Sequence, residues 1–199
     1  NNYISLSGEY VNSWININAN VYSNWFRNKI EGMWSNDQTE LHYINIGKSR
    51  LAGVETMCKI QINRHINVHG AYNYLYTSKD ADGVRLSSSS PHSGNIRAEY
   101  NTRIPRYATV VNLSGNIMGK KKFDVLDELE IDGKKVEAYY QAKVNPYCLW
   151  DLTVSQYIMQ NLRITAGITN LFDYTSDRVT FNTSTSPGRN YFIACNYTL

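Results

Sequence analysis

Apolar and polar residues alternate with a period of two along most of this 199-residue chain, which is the pattern of strands whose two faces meet unlike surroundings. In the last segment Tyr191, Ile193, Cys195, Tyr197 and Leu199 share one face, while Phe192, Ala194, Asn196 and Thr198 share the other. Ile15, Ile17, Ala19, Val21 and Trp25 oppose Asn16, Asn18, Asn20, Tyr22 and Asn24. Ile96, Ala98, Tyr100 and Ile104 oppose Asn95, Arg97, Glu99, Asn101 and Arg103. Cys148, Trp150, Leu152, Val154 and Ile158 oppose Asp151, Thr153, Ser155 and Tyr157, and Leu162, Ile164, Ala166 and Ile168 oppose Arg163, Thr165, Gly167 and Thr169. Nine strands are predicted, at roughly 2–10, 14–33, 39–62, 66–79, 92–104, 107–119, 146–159, 161–172 and 188–199.

The connections between them alternate in length. Short turns fall near 11–13, 63–65, 105–106 and 160, and long ones near 34–38, 80–91, 120–145 and 173–187. Short turns at one end and long loops at the other is how membrane-spanning barrels are built. A soluble Greek-key sandwich also alternates but has no reason to sort its loops in this way. Segments 14–33 and 39–62 are about twenty residues long, well beyond the ~5–6 of a mean soluble strand. Tyr72, Tyr74 and Tyr76, like Tyr191 and Tyr197, sit toward strand ends on the apolar face, as interfacial girdles do. Ile164 is expected to meet lipid near the middle of the bilayer.

Composition agrees. The chain is 42% apolar and 19% charged, with 16 Tyr, 4 Trp and 23 Asn. Tyr suits a half-buried pleated surface, while Asn is poor in ordinary strands and tolerated where water is near. No apolar run is long enough for a transmembrane helix, and Asn1-Asn2-Tyr3-Ile4 has no signal-peptide character, so any export signal is expected upstream. A formal charge of +3 does not argue for nucleic acid, and Lys120-Lys121-Lys122 reads as a solvated loop. Cys58, Cys148 and Cys195 are widely spaced and lack neighbouring ligands; they read as apolar fillers.

Four segments, in order, resemble the barrel of TonB-dependent outer-membrane receptors. Asn45 to Lys48 followed by Gly53-Val54-Glu55, Pro91-His92, Thr169-Asn170-Leu171-Phe172-Asp173-Tyr174, and Ser186-Pro187-Gly188-Arg189 carry the likeness. The final Leu199 stands where such barrels usually end in Phe. The resemblance covers essentially the whole chain and implies an all-β fold: an antiparallel up-and-down transmembrane β-barrel, with residues 1–199 forming about the last nine strands of 22. The plug domain and TonB box are absent from this chain. It further implies a bacterial outer-membrane location and active transport of a scarce nutrient, most commonly an iron chelate such as a siderophore or haem. The partners implied are outer-membrane lipid, a small-molecule nutrient ligand and TonB, the last through the missing N-terminal region. Ligand contacts are expected from the long loops, with Trp34, Asp80, Asp82, Arg85 and Tyr174 as candidates.

Enzyme chemistry is not indicated. Gly47-Lys48-Ser49 ends like a P-loop, but His42 occupies the position of its first glycine. No G-x-S-x-G elbow exists, and His42, His65, His69 and His92 lack metal-ligand spacing. No catalytic residue, metal ligand or cofactor is therefore assigned. Glu9, Glu55, Glu99 and Asp151 read as partners for inward Lys59, Arg97 and Arg103. Gly53 inside a strand suggests a bulge or a close backbone approach. The alternatives are a soluble β-sandwich binding module and an outer-membrane barrel enzyme.

Overall fold

The computed structural model describes residues 1–34, 40–78, 90–131, 134–159, 161–175 and 187–198, with backbone alone for Lys29, Glu31, Met33, Trp34, Ile44, Ile46 and 123–142. The strands are β1 (Asn2–Val11), β2 (Ile15–Trp34), β3 (Leu41–Gln61), β4 (Ile66–Thr77), β5 (His92–Asn101), β6 (Thr109–Met118), β7 (Lys121–Ile131), β8 (Lys134–Val144), β9 (Tyr147–Ile158), β10 (Leu162–Thr169) and β11 (Asn190–Tyr197). Nine of them form one antiparallel sheet in the order β1-β2-β3-β4-β5-β6-β9-β10-β11, and β7-β8 is a separate hairpin. The sheet is open, and its edges are β1 and β11.

The register joins the nine alternations into one two-faced surface. Ile15, Ile60, Val68, Ala98, Leu113, Leu152, Ile168 and Tyr191 form one continuous cross-strand row. The adjoining row on the other face runs Val11, Asn16, Lys59, His69, Arg97, Ser114 and Asp151. A slip of one residue in any strand would mix the two faces, so the pattern itself specifies the pairing. All three cysteines lie on the apolar face, paired with Ile17, Ile117 and Ile164.

That apolar face is uncovered. Val144 is the one buried apolar side chain among the described residues, while Leu6 is 79%, Ile193 78% and Val21 53% exposed. Such a surface has no second layer to pack against, which rules out a sandwich and fits a face solvated by lipid. From Ile15 to Trp25 the apolar side of β2 advances about 33 Å along the strand. Tilted at the ~40° usual for barrels, it spans about 25 Å of depth, the height of a lipid-facing band. Ile164 sits two residues inside the turn-side end of β10. Ile168, on the same face, stands one residue from the opposite, long-loop end of the strand.

Asparagine builds the short turns. The Asn12 side-chain oxygen accepts from the N–H groups of Trp14 and Ile15 (both 2.9 Å). Asn63 accepts from His65 (2.8 Å) and Ile66 (2.9 Å), and Asn101 from Arg103 (2.8 Å). Each is a side-chain mimic of a backbone turn. The last of these ends β5 at Asn101 and turns Arg103 to φ 52°, so Arg103 and Ile104 lie outside the strand expected to contain them. The region expected as a loop at 120–145 instead carries the β7–β8 hairpin, paired from Lys121↔Val144 to Ile131↔Lys134.

Candidate functional site

Two features stand at the end of the sheet that bears the long connections. β2 and β3 continue past their last rows shared with β1 (Asn2↔Trp25) and β4 (Leu51↔Thr77). Residues 26–34 of β2 and 41–50 of β3 carry this hairpin about 30 Å beyond the sheet. β7 and β8 rise from the same rim, between Met118 and Tyr147, and β7 comes into contact with β2. Burial lowers the Lys121 ammonium pKa at the foot of this hairpin from its ordinary value.

Below the rim, the polar face is hollowed. A depression of about 650 Å³ crosses from β2 to β9 and is lined by Asn20, Glu55, Asn73, Ser93, Asn116 and Tyr147, among others. Four of these, Asn20, Glu55, Asn73 and Ser93, belong to one cross-strand row that ends at Met118 and Tyr147. Asn20 Nδ2 donates to Glu55 (3.4 Å) and Asn16 Nδ2 to Glu9 (3.1 Å). Arg97 donates to Asn112 (2.9 Å) and Glu99 (3.3 Å). The inward carboxylates are thus held largely by amides, with one Arg97–Glu99 ion pair. Asp151 accepts instead from the N–H of Asn170 (2.9 Å).

Tyr147 marks the rim end of the hollow and stacks on Tyr174, with centroids 5.0 Å apart and planes 10° apart. Tyr174 is held from behind by Asn170, which is 4% exposed at φ 52°. The Asn170 side chain accepts from the Tyr174 N–H (2.8 Å) and donates to the Tyr174 carbonyl (2.7 Å). Asp173, at φ 57°, accepts from the N–H of Arg189 (2.6 Å), and a β-carbon on Gly188 would come within 2.9 Å of the same oxygen. The Asn-Leu-Phe-Asp and Pro-Gly-Arg segments therefore clasp one another at the base of the β10–β11 connection. Gly53 shows a close approach and no bulge. It pairs directly with Tyr22, and a β-carbon there would meet the Tyr22 hydroxyl at 2.6 Å and the Tyr74 carbonyl at 2.7 Å.

Of the residues expected to meet ligand, Tyr174 lies at this rim. Trp34 ends β2 opposite Leu41, with its side chain outside the described residues, as are Asp80, Asp82 and Arg85 altogether. Tyr147 was not among the expected candidates; an aromatic at a polar-face position opening a strand was its signal in the sequence. His65 bridges Asn101 O (2.8 Å) and Arg64 Nε (2.8 Å), and His92 Nδ1 meets the Tyr72 hydroxyl (2.7 Å). His69 lies on the polar face between Lys59 and Arg97, and His42 lies 3.4 Å from Glu40.

Comparison with known proteins gives a consistent answer. The family model described as TonB dependent receptor-like, beta-barrel, matches residues 1–171. The siderophore receptor PirA from Acinetobacter baumannii superposes with a TM-score of 0.73 at 16% identity, covering 98% of this chain and 31% of PirA. The ferric yersiniabactin uptake receptor FyuA from Yersinia pestis gives 0.71 at 15%, covering 98% of this chain and 29% of FyuA. The copper transporter OprC gives 0.73 at 13%, covering 98% and 30%. The chain spans less than a third of the length of each.

Proposed function

This chain belongs to the TonB-dependent receptor-like β-barrel family, and from that premise we propose that it forms part of the wall and the ligand-gathering rim of an outer-membrane nutrient receptor. The whole protein takes up an iron chelate, a siderophore in the first instance, and its role is transport without chemical conversion. The nine sheet strands are the last of about 22, with the plug and the TonB-contacting segment upstream. The apolar face meets lipid and the polar face lines the lumen.

The observation that carries this reading is the Tyr147–Tyr174 stack standing over an amide-lined hollow. A metal chelate is a flat or lobed organic shell around a masked ion. Stacked aromatic rings offer it contact area at low entropy cost, and the amides of Asn20, Asn73 and Asn116 offer donors and acceptors that do not compete for the metal. Trp34, Asp80, Asp82 and Arg85, whose side chains lie outside the described residues, are further ligand contacts under this proposal.

The test is uptake of radiolabelled ferric siderophore by cells carrying the full-length receptor. Tyr147→Ala and Tyr174→Ala should each raise the half-saturating concentration about fivefold, the worth of one aromatic contact, at unchanged receptor abundance. Uptake of copper or cobalamin with no iron chelate transported would reject the substrate class. Unchanged half-saturation in both variants would reject this rim as the contact surface.

A further inference from the structure

Directly above the apolar band, on the same outward face, three cations share one cross-strand cell. Arg27 lies opposite Lys48, and Arg50 lies opposite Trp25 two residues closer to the band. Side chains directly opposite one another have β-carbons about 5 Å apart, diagonal ones about 7–8 Å, and like charges so placed repel. All three are exposed. The ion pairs among the described residues are His42–Glu40 and Arg97–Glu99, so none of the three cations is matched by a described carboxylate. Arg50 is nevertheless held in place. Its Nε donates to Ser23 Oγ at 2.9 Å, and its guanidinium lies over the Trp25 ring, 5.2 Å from the centroid. Ser23 is itself buried.

The cell's depth specifies what could neutralise it. Tyr72, Tyr74 and Tyr76 form the aromatic edge of the lipid band on β4, with Trp25 one row above Tyr76 beside Arg50, and such rings sit at headgroup level. One and two rows beyond that edge is where lipid phosphates lie. From this placement we infer that Arg27, Lys48 and Arg50 form a binding site for the phosphate of an anionic membrane-lipid headgroup, with Trp25 packed along its first acyl carbons. Arg50 supplies a fork suited to two phosphate oxygens, and Lys48 supplies a point charge. The bound phosphate removes the repulsion across the Arg27–Lys48 pair and clamps the root of the projecting β2–β3 hairpin to the membrane surface. The inference rests on the lipid-facing assignment of the apolar side.

The experiment uses the full-length receptor in detergent, titrated with phosphatidic acid and followed by native mass spectrometry. Each of Arg27→Gln, Lys48→Gln and Arg50→Gln should weaken phosphatidic acid retention about fivefold. Removing the same number of charges at Lys120, Lys122 and Lys143 should leave it unchanged. Equal losses in both sets would overturn the site in favour of general charge attraction. A second measurement needs no mutation. In phosphatidylcholine nanodiscs, added phosphatidic acid should slow acetylation of Lys48 severalfold, and inorganic phosphate should not. Protection by inorganic phosphate alone would make this an ion site independent of lipid, and no protection by either would end the proposal. To separate these failures from failure of the lipid-facing reading, a fluorophore at Val21→Cys, in a receptor with Cys58, Cys148 and Cys195 replaced by Ala, is exposed to lipids with brominated chains. Quenching there without Lys48 protection defeats only the headgroup site, whereas no quenching defeats the facing itself.

Discussion

Single residues on this sheet have costs set by the face they occupy. Leu152 lies on the apolar face at the middle of β9, between Leu113 and Ile168. Leu152→Arg should therefore cost about 2–4 kcal/mol in the assembled receptor, the range for a cation at the midplane of a lipid face. Ile164→Arg, on the same lipid-facing side of β10, should cost a similar amount. Thr165 faces the other way and shares a 2.9 Å hydroxyl contact with Ser155, so Thr165→Arg should lose only that bond, about 1 kcal/mol. Urea unfolding in vesicles would rank the three; a Thr165 penalty equal to that of Leu152 would reverse the facing. At the rim, Asn170→Ala loses two side-chain bonds to Tyr174 and leaves an alanine at positive φ. About 2–3 kcal/mol of local stability should go with it, read as faster protease cleavage after Tyr174 in the folded receptor. Asn170→Gly keeps the backbone conformation and should fall between the two. The abundance of Asn, which composition explained only as tolerance of water, has a local cause here: Asn12, Asn63, Asn101 and Asn170 each hold a turn together.

Among the elements, the nine sheet strands were legible because a lipid face and a wet face imprint the strictest alternation a strand can carry. The β7–β8 hairpin was not read as strand. Its segment does alternate, Phe123, Val125, Leu129 and Ile131 against Asp124, Glu128 and Glu130, and Val136, Ala138, Tyr140 and Ala142 against Lys135, Glu137, Gln141 and Lys143, but its opening lysines and high charge read as a solvated loop. Asp132-Gly133 at its centre was nevertheless a hairpin signal in the sequence. Standing clear of the membrane band, this hairpin should be dispensable for barrel assembly and important for capture. Replacing residues 121–144 with a short Gly-Ser linker should leave the receptor heat-resistant in detergent, because Met118 and Tyr147 already pair across its base. Ligand affinity should fall tenfold or more, measured by equilibrium binding of ferric siderophore to whole cells. Full affinity after the deletion would assign capture to the β2–β3 extension and the remaining loops.

On the scale of the whole molecule, β1 and β11 are exposed along every residue, and each offers an unpaired row of backbone donors and acceptors. In detergent the isolated chain should therefore associate through these edges, seen as oligomers by light scattering. Co-expression with the upstream strands should suppress them. A stable monomer in detergent-free buffer would contradict the uncovered apolar face. The open sheet also explains why the described residues bury almost no apolar core: in a membrane barrel, lipid on one side and a polar interior on the other take the place of a packed centre.

The nine strands of the main sheet, their two unlike faces and the family were legible in the sequence alone, because a two-solvent sheet writes its environment into every second residue, whereas the β7–β8 hairpin was not. The tertiary structure decided what depends on neighbours far apart in the chain. It brought Tyr147 against Tyr174, set Asp173 on the strand that returns at Arg189, laid Tyr22 over Gly53 and gathered Arg27, Lys48 and Arg50 into one cell. Periodicity assigns a side chain to a face; only the register between strands determines which side chain stands next to it.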